Sequence, residues 1–352
     1  MSLINLLRKN NRKLLFTTPS HGQKFFIFNK FRQFYKYDIS ETDCSNPQKA
    51  LLKAEERAKN IYKTKYTRFL TNGSTSGIIA SILSCTKKSD KVLIWDNAHP
   101  SHYNAVKLAC CEPVYFTVDK TKEWGVSGIT EPKIIEENLK NNNIKAVIIT
   151  SPSYEGIVSD IKKIKEICSK YNAYLIVDEA HGALYPFCDK LPLSAINTAD
   201  FTVQSLHKTA GGLNPTALVH SYCDLDPKVG LEMINTTSPS YPVLASIEAN
   251  INYLNSRQGR KQIISLIENI NNLKKSCKTC DFYGDDPLKI LVKIKYLSGY
   301  ELSEKLYKDF NIEDEKTNEI STMLLCGIGT SEKKIERLKR ALIKICNNSV
   351  TL

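Results

Sequence analysis

Along most of the chain, short apolar runs alternate with stretches in which apolar residues recur every three or four positions. Six runs have the length and the branched side chains of buried strands: KVLIWD, EPVYFTV, AVIITS, YLIVDEA, DFTVQS and TALVH. Between several of them lie amphipathic stretches such as SDIKKIKEICSKYN and ITEPKIIEENLKNNN. Strands that alternate with helices predict an α/β fold with a mostly parallel sheet and helices on both faces.

The pattern changes from about Ser246 onward. SIEANINYLNSRQGRKQIISLIENINNLKKSC predicts long helix with a break near Gly259. KILVKI and TMLLCGI then predict strands, and a helical stretch follows each. We therefore predict an N-terminal lead-in segment at 1–45, a large domain at 46–255 and a small α+β C-terminal domain at 256–352. The HGQK sequence at 21–24 of the lead-in is typical of a tight turn.

Composition narrows the class of protein. Of the 352 residues, 42% are hydrophobic and 24% charged, which excludes long disorder, collagen and coiled coil for the chain as a whole. The net charge of +12 comes from lysines spread along the chain, without a basic arm or a zinc-finger spacing, so no nucleic-acid partner is expected. No apolar run approaches the roughly 20 residues of a membrane span, and the N-terminus has no signal-peptide pattern.

Cysteine usage indicates a reducing compartment. Most of the eleven cysteines stand singly inside apolar segments, so we expect a cytoplasmic protein without a disulfide framework. Cys277 and Cys280 form a C-x-x-C pair, but no second pair or nearby histidine accompanies them in the sequence. A structural zinc site needs about four ligands, so we predict no metal.

A Gly/Ser/Thr turn, TNGSTSG, stands before the apolar stretch IIASILSC. Backbone N–H groups and hydroxyls at Gly73, Ser74 and Thr75 would face an anion at the start of a helix, where a phosphate is favoured. An ordinary helix cap with flexible glycines explains the same residues equally well.

Polar residues also end two other predicted strands. Asp178, Glu179 and His181 follow one strand in quick succession, where a carboxylate can bind a metal, act as a base or hold a protonated ring nitrogen. Lys208 follows the next strand and is a candidate for an imine-forming amine. A helix cap and a surface lysine are the alternative interpretations.

A further strand ends before DNAHPSH. His99 in this segment can donate a proton, stack on a ring or ligate a metal, and a polar turn is the alternative. Pyridoxal phosphate needs a lysine for its aldehyde, a phosphate cup, an acid opposite its ring nitrogen and a flat group on one ring face. Lys208, the turn at 73–77, Asp178 and His99 meet these needs together, so we predict this cofactor.

Six segments resemble the Orn/Lys/Arg decarboxylase family, in particular its compact bacterial arginine/lysine branch. They are TNGSTSGIIASIL, DNAHPSHYNAVKLA, ITSPSYEGIVSDIKKIKEIC, LIVDEAHGALYPF, QSLHKTAGGLNPTALVH and TSPSYPVLASIEAN. The resemblance covers about 17–346 and does not include the C-terminal extension with which this branch usually continues. It implies the fold-type-I pyridoxal-phosphate architecture.

The resemblance also implies roles for individual residues. The residues that would contact the cofactor are Gly73, Ser74, Thr75, His99, Asp178, His181, Ser205, His207 and Lys208. His99 would stack on the pyridine ring, Asp178 would pair with its nitrogen, and Lys208 would bind the aldehyde. Lys208 or His207 would then return a proton to the substrate carbon.

Assembly and substrate are also implied by the resemblance. Thr237, Ser238 and Tyr241 would reach the site of a neighbouring subunit in a homodimer. Glu315, and Asp314 beside it, are weak candidates for holding a distal cation of the substrate, and a solvated acidic loop explains them equally well.

The function expected from the resemblance is decarboxylation of arginine or lysine, or less favourably ornithine, in polyamine biosynthesis. The alternatives are an aminotransferase or aldolase-type reaction on the same scaffold, or a non-catalytic regulatory protein that binds the cofactor. The strand TMLLCGI and the loop after it contain no arginine to clamp a carboxylate, because Arg337 and Arg340 fall in the last predicted helix. This favours decarboxylation.

Overall fold

The computed structural model describes residues 2–10, 32–39 and 47–349, so the predicted turn at 21–24 lies outside the described residues. The helices are α1 Leu3–Asn10, α2 Arg32–Tyr37, α3 Pro47–Tyr62, α4 Gly73–Cys85, α5 Pro100–Leu108, α6 Pro132–Asn141, α7 Ile161–Lys170, α8 Leu206–Thr209, α9 Lys228–Ile234, α10 Tyr241–Asn255, α11 Arg257–Ser276, α12 Gly299–Phe310 and α13 Glu332–Ser349. None of these described helices has the length and apolar character that crossing a membrane requires.

The larger sheet contains seven strands. They are β1 Tyr66–Leu70, β2 Lys91–Trp95, β3 Glu112–Phe116, β4 Ile144–Thr150, β5 Tyr174–Asp178, β6 Phe201–Ser205 and β7 Ala217–Ser221. Their order is β1-β7-β6-β5-β4-β2-β3, and only β7 runs antiparallel to its neighbours. The prediction of a mostly parallel sheet is confirmed. All six predicted strands form, and the structure adds β1.

Helices cover both faces of this sheet because its strands alternate side chains between two apolar layers. On β2, Val92 and Ile94 face the layer that contains α4, α5 and α9, whereas Leu93 faces the layer of α6 and α7. The packing of α4 is especially close, since a Cβ at Gly77 would stand 2.7 Å from Val203 on β6. This close approach fixes the start of α4 at the edge of the sheet where β5 and β6 end.

A second, four-stranded antiparallel sheet lies in the C-terminal part of the chain. Its strands are β8 Cys280–Tyr283, β9 Lys289–Ile294, β10 Lys316–Thr317 and β11 Thr322–Leu325, in the order β10-β11-β9-β8. The predicted strands and helices of this part all form, and β8 and β10 are additional. The pattern did not predict them because β10 is very short and β8 alternates buried and exposed positions.

The long helical stretch breaks at Ser256, close to the position near Gly259 that the sequence predicted. The Ser256 hydroxyl accepts a hydrogen bond from the Gly259 N–H at 3.1 Å and so caps the start of α11. A Cβ at Gly259 would stand 2.1 Å from the Tyr253 carbonyl oxygen, so the glycine permits the close turn between α10 and α11 without being the break itself.

One apolar cluster joins the N-terminal helix, α10, α11 and the smaller sheet. Leu3, Leu6 and Leu7 of α1 are fully buried in it, together with side chains of α13. Glu248 on α10 accepts a hydrogen bond from the Leu3 N–H at 2.7 Å. The described part of the lead-in therefore shares a core with the rest of the chain, and the domain limits at 45 and 255 stay a prediction.

Candidate active site

The site begins where two neighbouring parallel strands end. Asp178 is the last residue of β5, and Ser205 is the last residue of β6, which pairs with β5 in parallel. Lys208 follows on the single turn of α8. Because the carboxyl ends of parallel strands meet at one edge of a sheet, the predicted acid and the predicted amine lie at the same edge.

Asp178 is held as a carboxylate by its hydrogen bonds. His102 Nε2 lies 3.1 Å from its Oδ2, and the Ala180 N–H donates to its Oδ1 at 3.1 Å. Burial alone would raise the pKa of Asp178, but the hydrogen bond and charge of His102 and the charge of Lys208 lower it below its ordinary value. The site therefore contains a fixed negative charge that is shielded from water.

His181 lies between two lysines. Its Nε2 is 3.2 Å from Lys208 Nζ, and its Nδ1 is 2.6 Å from the Nζ of Lys289 on β9. Burial lowers the pKa of His181 well below the ordinary value, and the charges of Lys289 and Lys208 lower it further. His181 is therefore a neutral imidazole, and the smaller sheet contributes a side chain to the site.

The amine of Lys208 is also shifted toward its neutral form. Burial lowers its pKa below the ordinary value for lysine, although the negative charges of Asp178 and Glu315 oppose that shift. A neutral amine is the nucleophilic form of a lysine. The position and the environment of Lys208 both suit the imine-forming role predicted for it.

The Gly/Ser/Thr turn lies at the start of α4. Gly73 has a left-handed backbone with φ of +72°, and its N–H donates to the Pro215 carbonyl oxygen at 2.8 Å. Within the described part of the chain, the N-cap residue Asn72 makes no side-chain hydrogen bond to the first turn of this helix. The backbone N–H groups at Ser74 and Thr75 are thus not capped by that side chain and suit an anion.

Ser205 and His207 flank Lys208. Ser205 is fully buried, and among the described residues its hydroxyl has no hydrogen-bond partner. The ring of His207 is fixed by a hydrogen bond from Nδ1 to the Thr216 carbonyl oxygen at 3.0 Å. A buried hydroxyl without a protein partner is costly, so the Ser205 side chain is suited to a ligand atom.

His99 caps α5 and is half-buried. Its Nδ1 lies 2.8 Å from the Ser101 hydroxyl and 3.2 Å from the Ser101 N–H, so the ring is held in place. Burial lowers the pKa of His99. The charge of Asp178 raises this pKa, and the charge of Lys208 lowers it. The structure therefore brings His99 close to the other predicted residues, as a ring that is neutral at about pH 7.

Glu179 has a structural role. Its carboxylate accepts hydrogen bonds from Ser194 Oγ, the Ala195 N–H and Gln204 Nε2, each at 2.6 Å. Burial raises its pKa to about 7 in spite of these donors. These bonds connect the end of β5 to the segment before β6 and to β6 itself. The Glu179 carboxylate is therefore directed away from the site, and only Asp178 faces it.

The two acidic candidates for substrate binding differ in their surroundings. Asp314 accepts hydrogen bonds from Ser303 and Thr317 and so stabilises its own loop. Glu315 accepts a hydrogen bond from the Tyr154 hydroxyl, and its charge acts on Lys208. Only Glu315 is thereby connected to the predicted site.

The residues predicted to reach a neighbouring subunit also differ from one another. Thr237 and Ser238 are exposed in the segment before α10, and their predicted role stays a prediction. Tyr241 is fully buried in the core of its own chain. The predicted role of Tyr241 at the site of a neighbouring subunit also stays a prediction.

Three residues that the sequence did not indicate complete the site. His102 lies one helical turn after His99, so the i, i+3 spacing on α5 could have indicated it. Tyr154 packs its ring edge-on against His181, with the ring centres 4.8 Å apart. Lys289 is distant in sequence from the other site residues and begins an apolar strand, so the sequence pattern around it did not indicate a site residue.

A buried acid and a lysine therefore lie at adjacent strand ends, on the edge where open α/β sheets bind ligands. A family model for the major domain of Orn/Lys/Arg decarboxylases matches residues 6–287. The chain belongs to this family.

Individual relatives agree with that membership. An uncharacterised Bacillus subtilis protein, YaaO, is 30% identical over 93% of this chain and 73% of its own length. The arginine decarboxylase of the same organism is 27% identical over 94% of this chain and 74% of its own length.

Among solved structures, the constitutive lysine decarboxylase of Escherichia coli superposes with a TM-score of 0.82 at 20% identity, over 98% of this chain. This likeness confirms the predicted fold class. The chain spans 60% of the length of that lysine decarboxylase.

Proposed function

We propose that this protein binds pyridoxal 5'-phosphate and decarboxylates a basic amino acid, arginine or lysine, with ornithine as the weaker candidate. Family membership supports the reaction class. The observation that carries the proposal is the pairing of a buried, ionised Asp178 with a partly buried Lys208 at the ends of adjacent strands.

The residues fit this cofactor. The buried Ser205 hydroxyl, which has no partner in the described part of the chain, suits a phosphate oxygen, and so does the first turn of α4 at Ser74 and Thr75. Asp178 can pair with a protonated ring nitrogen, and Lys208 can bind the aldehyde. When bound, pyridoxal phosphate supplies the electron sink that accepts the electron pair of the broken C–C bond.

The chain's own residues hold and move protons around that cofactor. Asp178 favours a proton on the pyridine nitrogen because its pKa is low and His102 keeps it ionised. In its ammonium form, Lys208 can return a proton to the substrate carbon after CO₂ departs. His207, oriented through Nδ1 by the Thr216 carbonyl oxygen, is the second candidate for that transfer and would donate the proton from Nε2 as an imidazolium.

We propose that Glu315 attracts the distal cation of the substrate. The negative charge of Glu315 raises the pKa of Lys208. The Tyr154 hydroxyl donates a hydrogen bond to the Glu315 carboxylate, and the Tyr154 ring packs on His181. A carboxylate in this position would favour arginine or lysine over an uncharged amino acid by charge attraction.

Glu315→Gln tests this assignment, with Glu319→Gln as the matched control because Glu319 is also exposed and lies in the same hairpin region. We expect kcat/KM for arginine or lysine to fall up to about fivefold in Glu315→Gln, the size of one exposed ion pair, while norleucine is unaffected. Equal kcat/KM for wild type and Glu315→Gln would remove Glu315 from the substrate site without affecting the proposed reaction.

Transamination is less well supported than decarboxylation. β11 and the loop after it contain no arginine, and the Arg337 guanidinium on α13 donates a hydrogen bond to the Phe310 carbonyl oxygen. A carboxylate that is weakly held is easier to lose as CO₂ than one in a bidentate arginine clamp. Aldol-type cleavage has no specific observation in its favour, and the retention of Lys208 and Asp178 opposes a non-catalytic role.

We also propose a cytoplasmic homodimer whose product amine belongs to polyamine formation. Thr237 and Ser238 support the dimer because they are exposed immediately before the buried start of α10, where a short segment can reach a neighbour. The scattered positions of the described cysteines, none of which forms a disulfide with another described cysteine, support the reducing compartment.

A further inference from the structure

Three cysteines outside the proposed active site lie together in the core. Cys277 is the C-cap of α11, Cys280 begins β8, and Cys346 lies in the last part of α13. The Sγ atoms of Cys280 and Cys346 are 3.4 Å apart, and Cys277 Sγ is 3.9 Å from the Lys339 carbonyl oxygen on α13. The three thiols therefore join the end of one helix, a strand of the smaller sheet and a second helix.

The C-x-x-C pair is brought together by a tight turn. The Cys280 N–H donates to the Cys277 carbonyl oxygen at 3.1 Å, so β8 begins directly beside the end of α11. The two residues between them, Lys278 and Thr279, are exposed, whereas all three cysteines are buried. The cluster thus lies immediately beneath a short surface turn, and local opening of such a turn admits a small solute.

The sulfurs of the C-x-x-C pair differ in acidity. A hydrogen bond from Cys280 lowers the pKa of the Cys277 thiol, and the charge of Lys339 lowers it further, although burial opposes the shift. The hydrogen bond with Cys277 and burial both raise the pKa of Cys280. Because the thiolate is the nucleophilic form of cysteine, Cys277 is better suited than Cys280 to react first with an oxidant.

We propose that Cys280 and Cys346 form a reversible disulfide when hydrogen peroxide oxidises this cluster, and that Cys277 is the sulfur that the peroxide oxidises first. The contact between the Cys280 and Cys346 sulfurs carries the proposal, since small rotations of the two side chains can close the bond. This modification site goes beyond the proposed function, because neither the cofactor nor the substrate takes part in its chemistry.

The oxidation is balanced in three steps. The Cys277 thiolate attacks one peroxide oxygen and becomes a sulfenic acid, while the other oxygen takes up a proton and leaves as water. The Cys280 thiol then displaces the sulfenic oxygen as a second water and forms a disulfide with Cys277. Finally Cys346 attacks the Cys280 sulfur, so the disulfide moves to the pair already in contact and Cys277 is released as a thiol.

In net terms, two thiols lose two electrons and two protons to one peroxide, which becomes two waters. A low-molecular-weight thiol supplies two electrons to reverse the reaction, and two molecules of it are joined as its own disulfide. The pair is therefore reduced under ordinary conditions in a reducing compartment and is oxidised only when peroxide is present.

The disulfide would fasten α13 to the smaller sheet. β8 pairs with β9 in that sheet, and Cys280 shares an apolar cluster with Cys346. The two cysteines are 66 positions apart, so a bond between them closes a long loop and restricts the unfolded chain. We therefore expect the unfolding temperature to rise by about 4 °C on oxidation and to return on reduction.

The first test maps the disulfide in the full chain. The reduced protein is freed of reductant and treated with equimolar hydrogen peroxide, its remaining thiols are alkylated, and its peptides are mapped without reduction. We expect a disulfide between Cys280 and Cys346 that dithiothreitol reverses. Cys346→Ser should instead stop at the disulfide between Cys277 and Cys280. Cys168→Ser is the matched control and should keep the wild-type pair, since Cys168 is also buried but lies in the layer of α6 and α7.

If Cys346→Ser does not fold, Cys346→Ala replaces it, because alanine adds no buried hydroxyl, and the expected product is the same. A wild type that ends with Cys280 bound to Cys277, or that is oxidised to sulfinic acid without a disulfide, would overturn the proposal. So would a wild type whose Cys280 and Cys346 both stay reduced while the sulfur of Cys277 is oxidised.

The second test follows the rate of oxidation and the thermal stability. Cys277→Ser should slow formation of the disulfide between Cys280 and Cys346 about tenfold, because the first thiolate is lost. An unchanged rate would remove Cys277 from the route. A disulfide-bonded wild type that unfolds at the temperature of the reduced protein would show that the bond does not fasten α13. These measurements use no cofactor or substrate, so their failure is distinguishable from failure of the proposed function.

Discussion

His102 Nε2 donates toward Asp178 Oδ2 at 3.1 Å, and both side chains are buried. The contact joins α5 to the end of β5, so the acid that faces the proposed cofactor ring is oriented by a helix from a different part of the chain. Burial raises the pKa of Asp178, and the hydrogen bond and charge of His102 are the largest causes that lower it, so His102 favours the ionised carboxylate. His102 thus acts through Asp178 rather than on the substrate.

Replacing His102 should therefore weaken catalysis through the charge of Asp178. We expect His102→Phe to lower kcat about tenfold and to move the acid limb of the kcat–pH profile upward, because Asp178 loses a donor that favours its ionised form. His102→Gln keeps an N–H donor and should recover part of the loss. Asp178→Asn should cost more, about a hundredfold, because it removes the charge itself.

The pH profile is the measurement that distinguishes this role from a packing role. If His102→Phe lowers kcat without moving the acid limb, the histidine supports the fold of the site but does not set the ionisation of Asp178. Equal losses in His102→Phe and His102→Gln would lead to the same conclusion.

The sequence predicted the parts of the site that lie at strand ends, and it failed where the contacts come from distant elements. Asp178, Lys208 and the turn at Gly73 follow apolar strands directly, so periodicity located them. Lys289 begins a strand of the smaller sheet, and only tertiary packing brings it to His181.

Burial limits sequence-based prediction in a second way. Tyr241 follows a polar segment, yet it is fully buried because it begins α10, which packs into the shared core. Asp178 and Glu179 are adjacent acids at the end of the same strand, so the sequence does not distinguish them. In the structure Glu179 binds the Ala195 N–H and stabilises the fold, whereas Asp178 binds His102 and faces the site.

A buried histidine outside the site should make the protein sensitive to acid. His220 on β7 is buried with Nδ1 at 2.9 Å from the Thr67 hydroxyl, and burial lowers its pKa to about 3. Since the unfolded chain binds this proton at its ordinary pKa, the free energy of unfolding should fall as pH drops below about 6.5, by up to about 1.4 kcal/mol per pH unit. Above that pH His220 contributes no pH dependence.

Urea unfolding of wild type and His220→Gln at pH 7 and pH 5 checks this sign. The glutamine keeps a polar partner for Thr67 but does not titrate. We expect the stability of wild type relative to the variant to decrease by about 2 kcal/mol between the two pH values. A difference that stays constant with pH would show that His220 does not remain neutral in the folded protein.

Lys208 should be the residue to which pyridoxal phosphate is attached. Borohydride reduction of the protein with bound cofactor, followed by peptide mapping, should place the pyridoxyl group on Lys208. Lys208→Ala should lose the adduct and turnover and keep its unfolding midpoint, because the side chain is only partly buried and lies outside the apolar clusters. A stoichiometric adduct on Lys289 would show that the wrong lysine has been assigned.

The most direct test of the account is the fate of the substrate carboxylate. Arginine and lysine labelled at the carboxyl carbon are incubated separately with the purified protein and pyridoxal phosphate, and CO₂, amine and keto acid are quantified together. The account predicts equal amounts of labelled CO₂ and amine from at least one of the two, with at most a trace of keto acid and with no product from Lys208→Ala. Stoichiometric keto acid and pyridoxamine phosphate, with the label retained, would contradict it and make the protein a transaminase.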